Sequence, residues 1–200
     1  MEVYFVRHGE TDGNIARRHQ HPNTQLNERG REQIKAVAKE LAKLPITHFI
    51  TSTHYRAVES ARIIAETCGL TPTTEDIFEE VQRPLELVGN RYVGLTTFWY
   101  ALRWFYSVKL KDGENYDDFR RRVIAARTYL ESLPRDARVV VVSHAVFINI
   151  FLDHLCLDER MSLTRAVLSF WRIFRLRNAS LVHLQYTNYP NTCGWTILKR

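Results

Sequence analysis

The chain has 200 residues, of which 45% are hydrophobic and 25% charged, the balance of a soluble globular protein. This length fits one domain with at most a small insertion. The formal net charge of +6 suits an anionic partner without distinguishing a phosphate ester from nucleic acid. The longest aromatic and apolar stretch is Phe98 to Val108, which Arg103 interrupts. It is shorter than the roughly 20 apolar residues that span a bilayer, so the sequence excludes a membrane-spanning class.

The three cysteines, Cys68, Cys156 and Cys193, lie far apart, and no CxxC pair occurs. An odd number of widely spaced cysteines argues against a disulfide framework. The segment from Glu2 to Val6 runs directly into Arg7 without the pattern of a signal peptide. We therefore expect reduced cysteines and a cytoplasmic location.

The first half of the chain alternates predicted strands and helices. Val3 to Val6 and Thr47 to Thr51 are short apolar runs, typical of buried strands. Glu28 to Lys43 carries apolar residues at helical spacing, which predicts a helix. A second helix follows Ser52, which can cap it, and ends at Gly69.

The second half continues this alternation after an irregular segment, Asp76 to Gly113. Asp117 to Leu133 is a predicted helix. Arg138 to Val142 contains a continuous β-branched run, typical of a parallel strand that is covered on both faces. A further helix begins near Ala145. Two late strands are also predicted, Ser180 to Tyr186 and Trp195 to Lys199.

This order of elements predicts an α/β fold, with a mostly parallel central sheet and helices on both faces. The whole chain, residues 1–200, forms a single domain in this prediction. The irregular aromatic segment is interpreted as a small lid insertion at about residues 81–115.

Polar and charged side chains follow three of the predicted strands. Arg7 and His8 follow the first, Arg56 lies shortly after the second, and Ser143 and His144 follow the valine-rich strand. The carboxyl ends of parallel strands meet at one edge of a sheet, where ligands bind. Helices that begin at this edge offer free N–H groups to an anion. The sequence therefore predicts a pocket for a phosphate group.

The segment Arg7-His8-Gly9-Glu10-Thr11 resembles the RHGE/T signature of the histidine phosphatase superfamily, in the branch that includes cofactor-dependent phosphoglycerate mutases. Further segments resemble family elements in the same order along the chain: Asn14, Leu26 to Gly30, Ser52 to Ala61, Gly113 to Asn115 with Arg122, Val142 to His144, and Asn178 to Ser180. A lone RHG triplet is weak evidence, whereas this ordered set spans nearly the whole chain.

The resemblance implies a role for each residue of the pocket. His8 is the nucleophile towards phosphorus, with its second ring nitrogen bonded to a backbone carbonyl. Arg7 and Arg56 present planar guanidinium groups to the phosphate oxygens. Asn14 and His144 contact the same phosphate group. Because these side chains supply the positive charge, the resemblance implies no metal ion and no cofactor.

A carboxylic acid near the scissile oxygen is the family's proton donor for the leaving group. Phe78-Glu79-Glu80 followed by Arg83-Pro84 resembles the acid-bearing segment of some members, with Glu80 in the acid position. Glu79 is the adjacent alternative, and Glu114 is the next position to consider.

Three other segments leave alternatives open. His19-Gln20-His21 replaces the small residues of family mutases, and its histidines fit no zinc pattern; they line the pocket mouth or face solvent. The aromatic run Phe98 to Tyr106 either recognises an apolar leaving group or packs on the core. Phe170 to Arg177 mixes cations and aromatic rings as single-strand nucleic-acid binders do, although a solvated edge strand or helix is the simpler interpretation.

We therefore predict metal-independent hydrolysis of a phosphomonoester through a phosphohistidine on His8. The alternatives are a phosphoglycerate-mutase-like phosphoryl mutase, a catalytically silent binding module on the same fold, and a basic nucleic-acid binder. A small phosphorylated substrate is the expected partner, with neither nucleic acid nor a membrane. The sequence assigns no oligomeric state.

Overall fold

A computed structural model describes residues 1–187 and 193–199 of the chain. Six strands in this part of the chain form one sheet: β1 Glu2–Arg7, β2 His48–Thr51, β3 Thr73–Thr74, β4 Arg138–Ser143, β5 Leu181–Tyr186 and β6 Trp195–Lys199. Seven α-helices accompany them: α1 Asp12–Ile15, α2 Glu28–Leu41, α3 Tyr55–Cys68, α4 Leu95–Phe105, α5 Tyr116–Glu131, α6 Ala145–Asp153 and α7 Leu163–Ile173. Every predicted strand and helix is present, with ends within a few residues of those expected.

The sheet has the order β3-β2-β4-β1-β5-β6. Strands β3, β2, β4 and β1 run parallel, whereas β5 is antiparallel to both β1 and β6. This confirms an α/β fold with a mostly parallel sheet. Because β2, β4 and β1 are neighbours that run in one direction, their carboxyl ends lie side by side, as the sequence predicts.

Alternate residues of the central strands bury their side chains on opposite faces of the sheet. On one face, Phe5 and Val141 belong to an apolar core shared with α5 and α6. On the other, Val6 and Val140 pack with residues of α2 and α3. Helices therefore cover both faces, which explains why β4 is a run of valines with no polar alternation.

The start of α3 differs from the prediction that Ser52 caps it. The helix begins at Tyr55 with His54 in the N-cap position, and no side chain caps it. Ser52 lies too far back because the chain stays extended through His54 (φ −64°, ψ 134°). The predicted end is confirmed, since Gly69 adopts a left-handed conformation with φ 66°, which glycine tolerates without steric cost.

The irregular aromatic segment contains α4 and two 3₁₀ turns, Asp76–Phe78 and Leu85–Leu87. On α4, the ring of Trp104 lies 5.2 Å from that of Tyr116 and joins the core, whereas Trp99 is largely exposed. Packing on the core therefore applies only to part of this aromatic run. In residues 1–187 and 193–199, no helix has both the length and the apolar character needed to cross a membrane.

Cys156 and Cys193 form a disulfide, which corrects the expectation that the cysteines are reduced. The two residues are 37 positions apart in the sequence, and they meet because the end of α6 lies beside the start of β6. Their spacing alone carries no signal for this pairing. Cys68 is the free thiol, and it is partly buried.

Candidate active site

The carboxyl ends of β1, β2 and β4 bring three histidines into one cluster. The backbone N–H of His8 donates to the Ser143 carbonyl at 3.0 Å, which ties the end of β1 to the end of β4. The ring centroids of His8 and His144 are 5.1 Å apart, and those of His144 and His54 are 4.8 Å apart. The convergence predicted from the strand ends is therefore present.

The His8 ring is buried, and both of its nitrogens have defined neighbours. Nδ1 lies 2.7 Å from the carbonyl oxygen of Gly9, and because a carbonyl only accepts, Nδ1 carries the proton. Nε2 then accepts from Nε of Arg56 at 3.3 Å. Burial holds the pKa of His8 well below its usual range, and the charges of Arg56 and Arg7 lower it further. His8 is thus a neutral imidazole with an unprotonated Nε2.

Arg56 is 4% exposed and lies on the first turn of α3. Besides His8, its guanidinium donates to the backbone carbonyl of His21 at 3.2 Å and contacts Nδ1 of His54 at 3.1 Å. Burial lowers the pKa of Arg56 to about 10, against the raising effect of the Glu80 charge. Arg56 remains protonated near neutral pH, with neutral groups as its direct neighbours.

Arg7 is the second cation near the His8 ring. Its guanidinium donates to the carbonyl of Leu176, and its Nε has no hydrogen-bond partner among the described residues. In the same part of the chain, neither Arg7 nor Arg56 forms an ion pair with a carboxylate. Two positive charges without a paired anion, Arg56 buried and Arg7 partly buried, favour the binding of a negatively charged group.

His144 is fully buried and reaches Ser52 rather than solvent. Its Nε2 lies 2.8 Å from the Ser52 hydroxyl, which accepts from the backbone N–H of His54 at 3.3 Å. The hydroxyl can therefore donate its own proton to Nε2, which leaves the proton of the ring on Nδ1. Nδ1 has no partner among the described residues. Burial holds the pKa of His144 well below its usual range, so the ring is a neutral hydrogen-bond donor.

Asn14 is linked to the backbone of His8 through the side-chain amide of Asn178. Its Oδ1 accepts from Nδ2 of Asn178 at 2.9 Å, and the same Nδ2 lies 3.3 Å from the carbonyl oxygen of His8 and 3.2 Å from that of Gly9. The Asn14 amide also approaches the hydroxyl of Tyr92 at 3.5 Å. Asn14 is thus held within the cluster, and Asn178 explains why a late segment of the sequence resembles the family.

The three candidate acids have different surroundings. Glu80 is buried, and its carboxylate accepts from the N–H groups of Val146 at 3.2 Å and Phe147 at 3.0 Å, in the first turn of α6 directly after His144. Glu79 accepts instead from Thr53 and Gln82.

Glu114 forms an ion pair with Arg122. The charge of Glu80 acts on the pKa of both Arg7 and Arg56. Among the three acids, Glu80 is therefore the one whose charge raises the pKa of both arginines.

The histidines of the His19-Gln20-His21 segment separate in the structure. His19 is buried, with Nε2 3.1 Å from the Thr97 hydroxyl on α4, and burial lowers its pKa to about 4. The His21 side chain is exposed. Across the described ranges of the chain, no group of three or more His, Cys, Asp or Glu side chains could hold a metal ion.

Four neighbours of the cluster were not identified from the sequence as functional: Ser52 as a partner of His144, His54, Tyr92 and Arg83. His54 and Tyr92 contact Arg56 and Asn14 through their side chains, and the charge of Arg83 lowers the pKa of His19 and His54. Arg83 and Tyr92 lie in the irregular segment, where no periodic pattern places a side chain.

The buried histidines predict a loss of stability in acid. An ordinary histidine has a pKa of 6.5, and the folded-state pKa of His8 and His144 lies well below that value. The pKa is lowered to about 4 in His19 and to about 3 in His54. The unfolded chain therefore binds more protons, and stability present above pH 6.5 is lost as pH falls below it.

We expect a fall of up to about 1.4 kcal/mol per pH unit for each such histidine. Urea denaturation between pH 7 and 5 measures this slope. His54→Gln, which keeps an acceptor for Arg56, should reduce it. A free energy of unfolding that does not change over this interval would contradict the assignment of neutral buried rings.

This fold, with histidines and arginines converging at the carboxyl ends of its parallel strands, defines a class of phosphate-handling protein. The family model of the histidine phosphatase superfamily (branch 1) matches residues 3–197 of the chain. The chain belongs to the histidine phosphatase superfamily, as the sequence motifs predict.

Particular relatives fall on both sides of the phosphatase and mutase division. A protein of Yersinia pestis (strain Pestoides F) named probable phosphoglycerate mutase GpmB is 32% identical to this chain over 206 residues. The matched region covers 98% of this chain and 91% of the relative. The alpha-ribazole phosphatase from Shigella flexneri has a TM-score of 0.79 at 17% identity, over 100% of this chain and 95% of that chain. A mycobacterial glucosyl-3-phosphoglycerate phosphatase has a TM-score of 0.73 at 23% identity, over 99% and 97%. At these identities the two structures support the fold.

Proposed function

We propose that the protein is a metal-independent phosphatase that hydrolyses small phosphomonoesters through a phosphohistidine on Nε2 of His8. One observation carries the proposal: His8 is buried and neutral, with Nδ1 fixed by the Gly9 carbonyl and Nε2 beside Arg56. An imidazole attacks phosphorus only through an unprotonated nitrogen, and the bond from Nδ1 to the Gly9 carbonyl supports that form for Nε2 and fixes the orientation of the ring.

In the first step, Arg7 and Arg56 bind the phosphate oxygens and balance the charge that spreads over them in the transition state. Asn14 and Nδ1 of His144 donate to the same oxygens. Nε2 of His8 forms a bond to phosphorus as the bond to the ester oxygen breaks. Protonated Glu80 gives its proton to the departing alkoxide.

In the second step, the Glu80 carboxylate accepts a proton from a water molecule that attacks the phosphohistidine. The P–N bond breaks, inorganic phosphate forms, and Nε2 of His8 recovers its lone pair. Glu80 is thereby returned to the protonated form that the first step uses. Positioned side chains supply all the proton transfers and the positive charge, so the scheme requires no metal ion.

The test is hydrolysis of a phosphomonoester library by the purified protein in excess EDTA. We expect undiminished release of inorganic phosphate, because guanidinium groups take the place of a cation at the phosphate. Brief mixing with labelled substrate and an alkaline quench should trap acid-labile label on the protein. Activity that is lost with EDTA and restored by zinc or magnesium would show that the proposal is wrong, as would label on a serine or an aspartate.

Glu80→Gln is expected to separate poor leaving groups from good ones. An alkyl alkoxide needs a proton as it departs, so its release should slow by about 100-fold or more. p-Nitrophenolate departs without one, so the burst of the first step should be nearly unchanged with p-nitrophenyl phosphate. Rapid-quench kinetics measure both steps. Glu79→Gln is the matched control, and selective loss in that variant instead would move the acid by one residue.

We also propose that residues 81–115 act as a lid. The hydroxyl of Tyr92 accepts from Asn14 at 3.5 Å and from Gln20 at 3.2 Å, and the backbone of His19 donates to Asn90 at 2.9 Å. These contacts join the segment to the site, where a closed lid excludes water from the reacting phosphate.

A phosphoglycerate-mutase-like activity is the second candidate, because the relative at 32% identity is named a probable phosphoglycerate mutase. The two activities differ in the final acceptor of the phosphoryl group, which is water in one and a substrate hydroxyl in the other. ³¹P NMR of a reaction with 3-phosphoglycerate distinguishes inorganic phosphate from an isomerised ester. A catalytically silent module would form neither product.

A further inference from the structure

The outer face of α7 is apolar and open to solvent. Leu163, Val167, Phe170, Trp171 and Phe174, which we call the α7 stripe, are between 42% and 62% exposed. Their spacing places them on one face of the helix, about 100° wide. In a helix that covers a core, such a face would point inwards.

The inner face of α7 combines Ile173, which packs against the apolar core, with buried polar side chains that an ordinary surface helix does not place inwards. Ser169 is 1% exposed, and its hydroxyl donates to Asp153 and accepts from Asn149. Arg172 forms an ion pair with Asp153. Buried hydrogen bonds fix the orientation of α7, so the fold itself keeps the stripe on the solvent side of the helix.

Positive charge lies beside one end of the stripe. Residues 160–177 contain five arginines and no aspartate or glutamate. Arg160 pairs with Asp117 and Arg172 with Asp153. The other three, Arg165, Arg175 and Arg177, are exposed. The ion pairs of the described residues leave these three without a carboxylate. Helical spacing puts Arg165 on the face away from the stripe, where it donates to the Asp153 carbonyl, so Arg175 and Arg177, which follow Phe174, are the cations beside the stripe.

We propose that the α7 stripe binds an anionic phospholipid surface, with α7 lying in the plane of the headgroups. Trp and Phe side chains enter the boundary between headgroups and acyl chains, and flanking arginines attract lipid phosphates. This differs from the sequence-based expectation of no membrane partner, which depended on the absence of a spanning segment.

Charge and side-chain type favour lipid over two other occupants. A two-fold contact between two copies through the stripe would bring Arg175 and Arg177 close to the same residues of the partner, without carboxylates to balance them. Single-stranded nucleic acid stacks on aromatic rings, and Leu163 and Val167 offer none. An anionic bilayer satisfies both the aliphatic and the cationic part of the surface.

The test is flotation of the whole protein with vesicles of phosphatidylglycerol and phosphatidylcholine, compared with phosphatidylcholine alone. We expect binding to the anionic vesicles, weakened by salt. Trp171→Gln with Phe174→Gln should reduce the partition coefficient about ten-fold or more. The matched control is Trp99→Gln, which removes an exposed tryptophan of α4 and should bind as the unaltered protein does.

Trp171 and Phe174 are both exposed, so hydrolysis of soluble p-nitrophenyl phosphate should stay unchanged in the double variant. A second variant, Arg175→Glu with Arg177→Glu, should lose binding to anionic vesicles without a change in the stripe. The proposal is overturned if the protein does not bind anionic vesicles, or if Trp99→Gln loses as much vesicle binding as the double variant. It is also overturned if the protein binds oligothymidylate more tightly than vesicles, or if it is a dimer that dissociates in the double variant.

Discussion

His8→Ala is expected to lower kcat by about 10⁴-fold or more, as removal of a nucleophile does in other covalent mechanisms. The backbone carbonyl of Gly9 orients the ring of His8, and alanine offers no nitrogen to take its place. The residual rate would come from phosphate binding by Arg7 and Arg56. Steady-state hydrolysis measures the loss of kcat, and the yield of trapped phosphoenzyme measures the loss of the covalent intermediate.

The matched control for His8 is His48→Ala, at the opposite end of β2 from the site. It removes the same side chain from the same sheet and should leave kcat nearly unchanged. Thermal unfolding shows whether either variant is folded. Turnover that persists in folded His8→Ala would contradict the phosphohistidine mechanism.

Arg56→Ala is expected to cost about 2–4 kcal/mol of transition-state stabilisation, comparable to the loss of one oxyanion donor. Arg56 donates to Nε2 of His8 at 3.3 Å, so its loss affects the nucleophile as well as the phosphate oxygens. The reduction should appear in kcat/KM for every phosphomonoester. Arg56→Lys should recover only part of it, because an ammonium keeps the charge but not the planar fork.

Arg62→Ala is the control for this prediction. Arg62 lies on the same helix, and its partner is Glu66 in an exposed ion pair, so its removal should change neither kcat/KM nor stability appreciably. If Arg56→Ala retains near-normal kcat/KM, Arg56 does not contact the phosphate. A loss of folded protein in Arg56→Ala alone would leave Arg56→Lys as the informative variant.

The parts of the fold that follow a strong local pattern were predictable from the sequence. The valine run of β4 and the glycine that ends α3 have one structural interpretation each. Helix α4 was missed because its threonines and aromatic residues have weak helix propensity. For α7 the sequence favours neither strand nor helix, because most of its apolar residues are exposed to solvent whereas the polar Ser169 is buried.

The residues of the candidate site show the same difference between positions set by a local pattern and positions set by contacts distant in sequence. His8, Arg56 and His144 were identified because they follow strands that lie side by side, and a motif surrounds each of them. Tyr92 lies in an irregular segment whose position depends on contacts distant in sequence. Ser52 was assigned to a helix cap, whereas its hydroxyl bonds to His144, because only the tertiary fold brings β2 and β4 together. The disulfide was missed for the same reason.

Strand β1 is the first to be synthesised, yet it lies between β4 and β5 in the sheet. Its partners, Arg138–Ser143 and Leu181–Tyr186, are synthesised long after it. The carbonyl groups of His8 and Gly9 likewise lack the Asn178 amide until that residue has been made. A nascent chain therefore carries an apolar, unpaired strand until β4 and β5 emerge, a state prone to aggregation. For the same reason, the proposed nucleophile is held in place only after Asn178 has been synthesised.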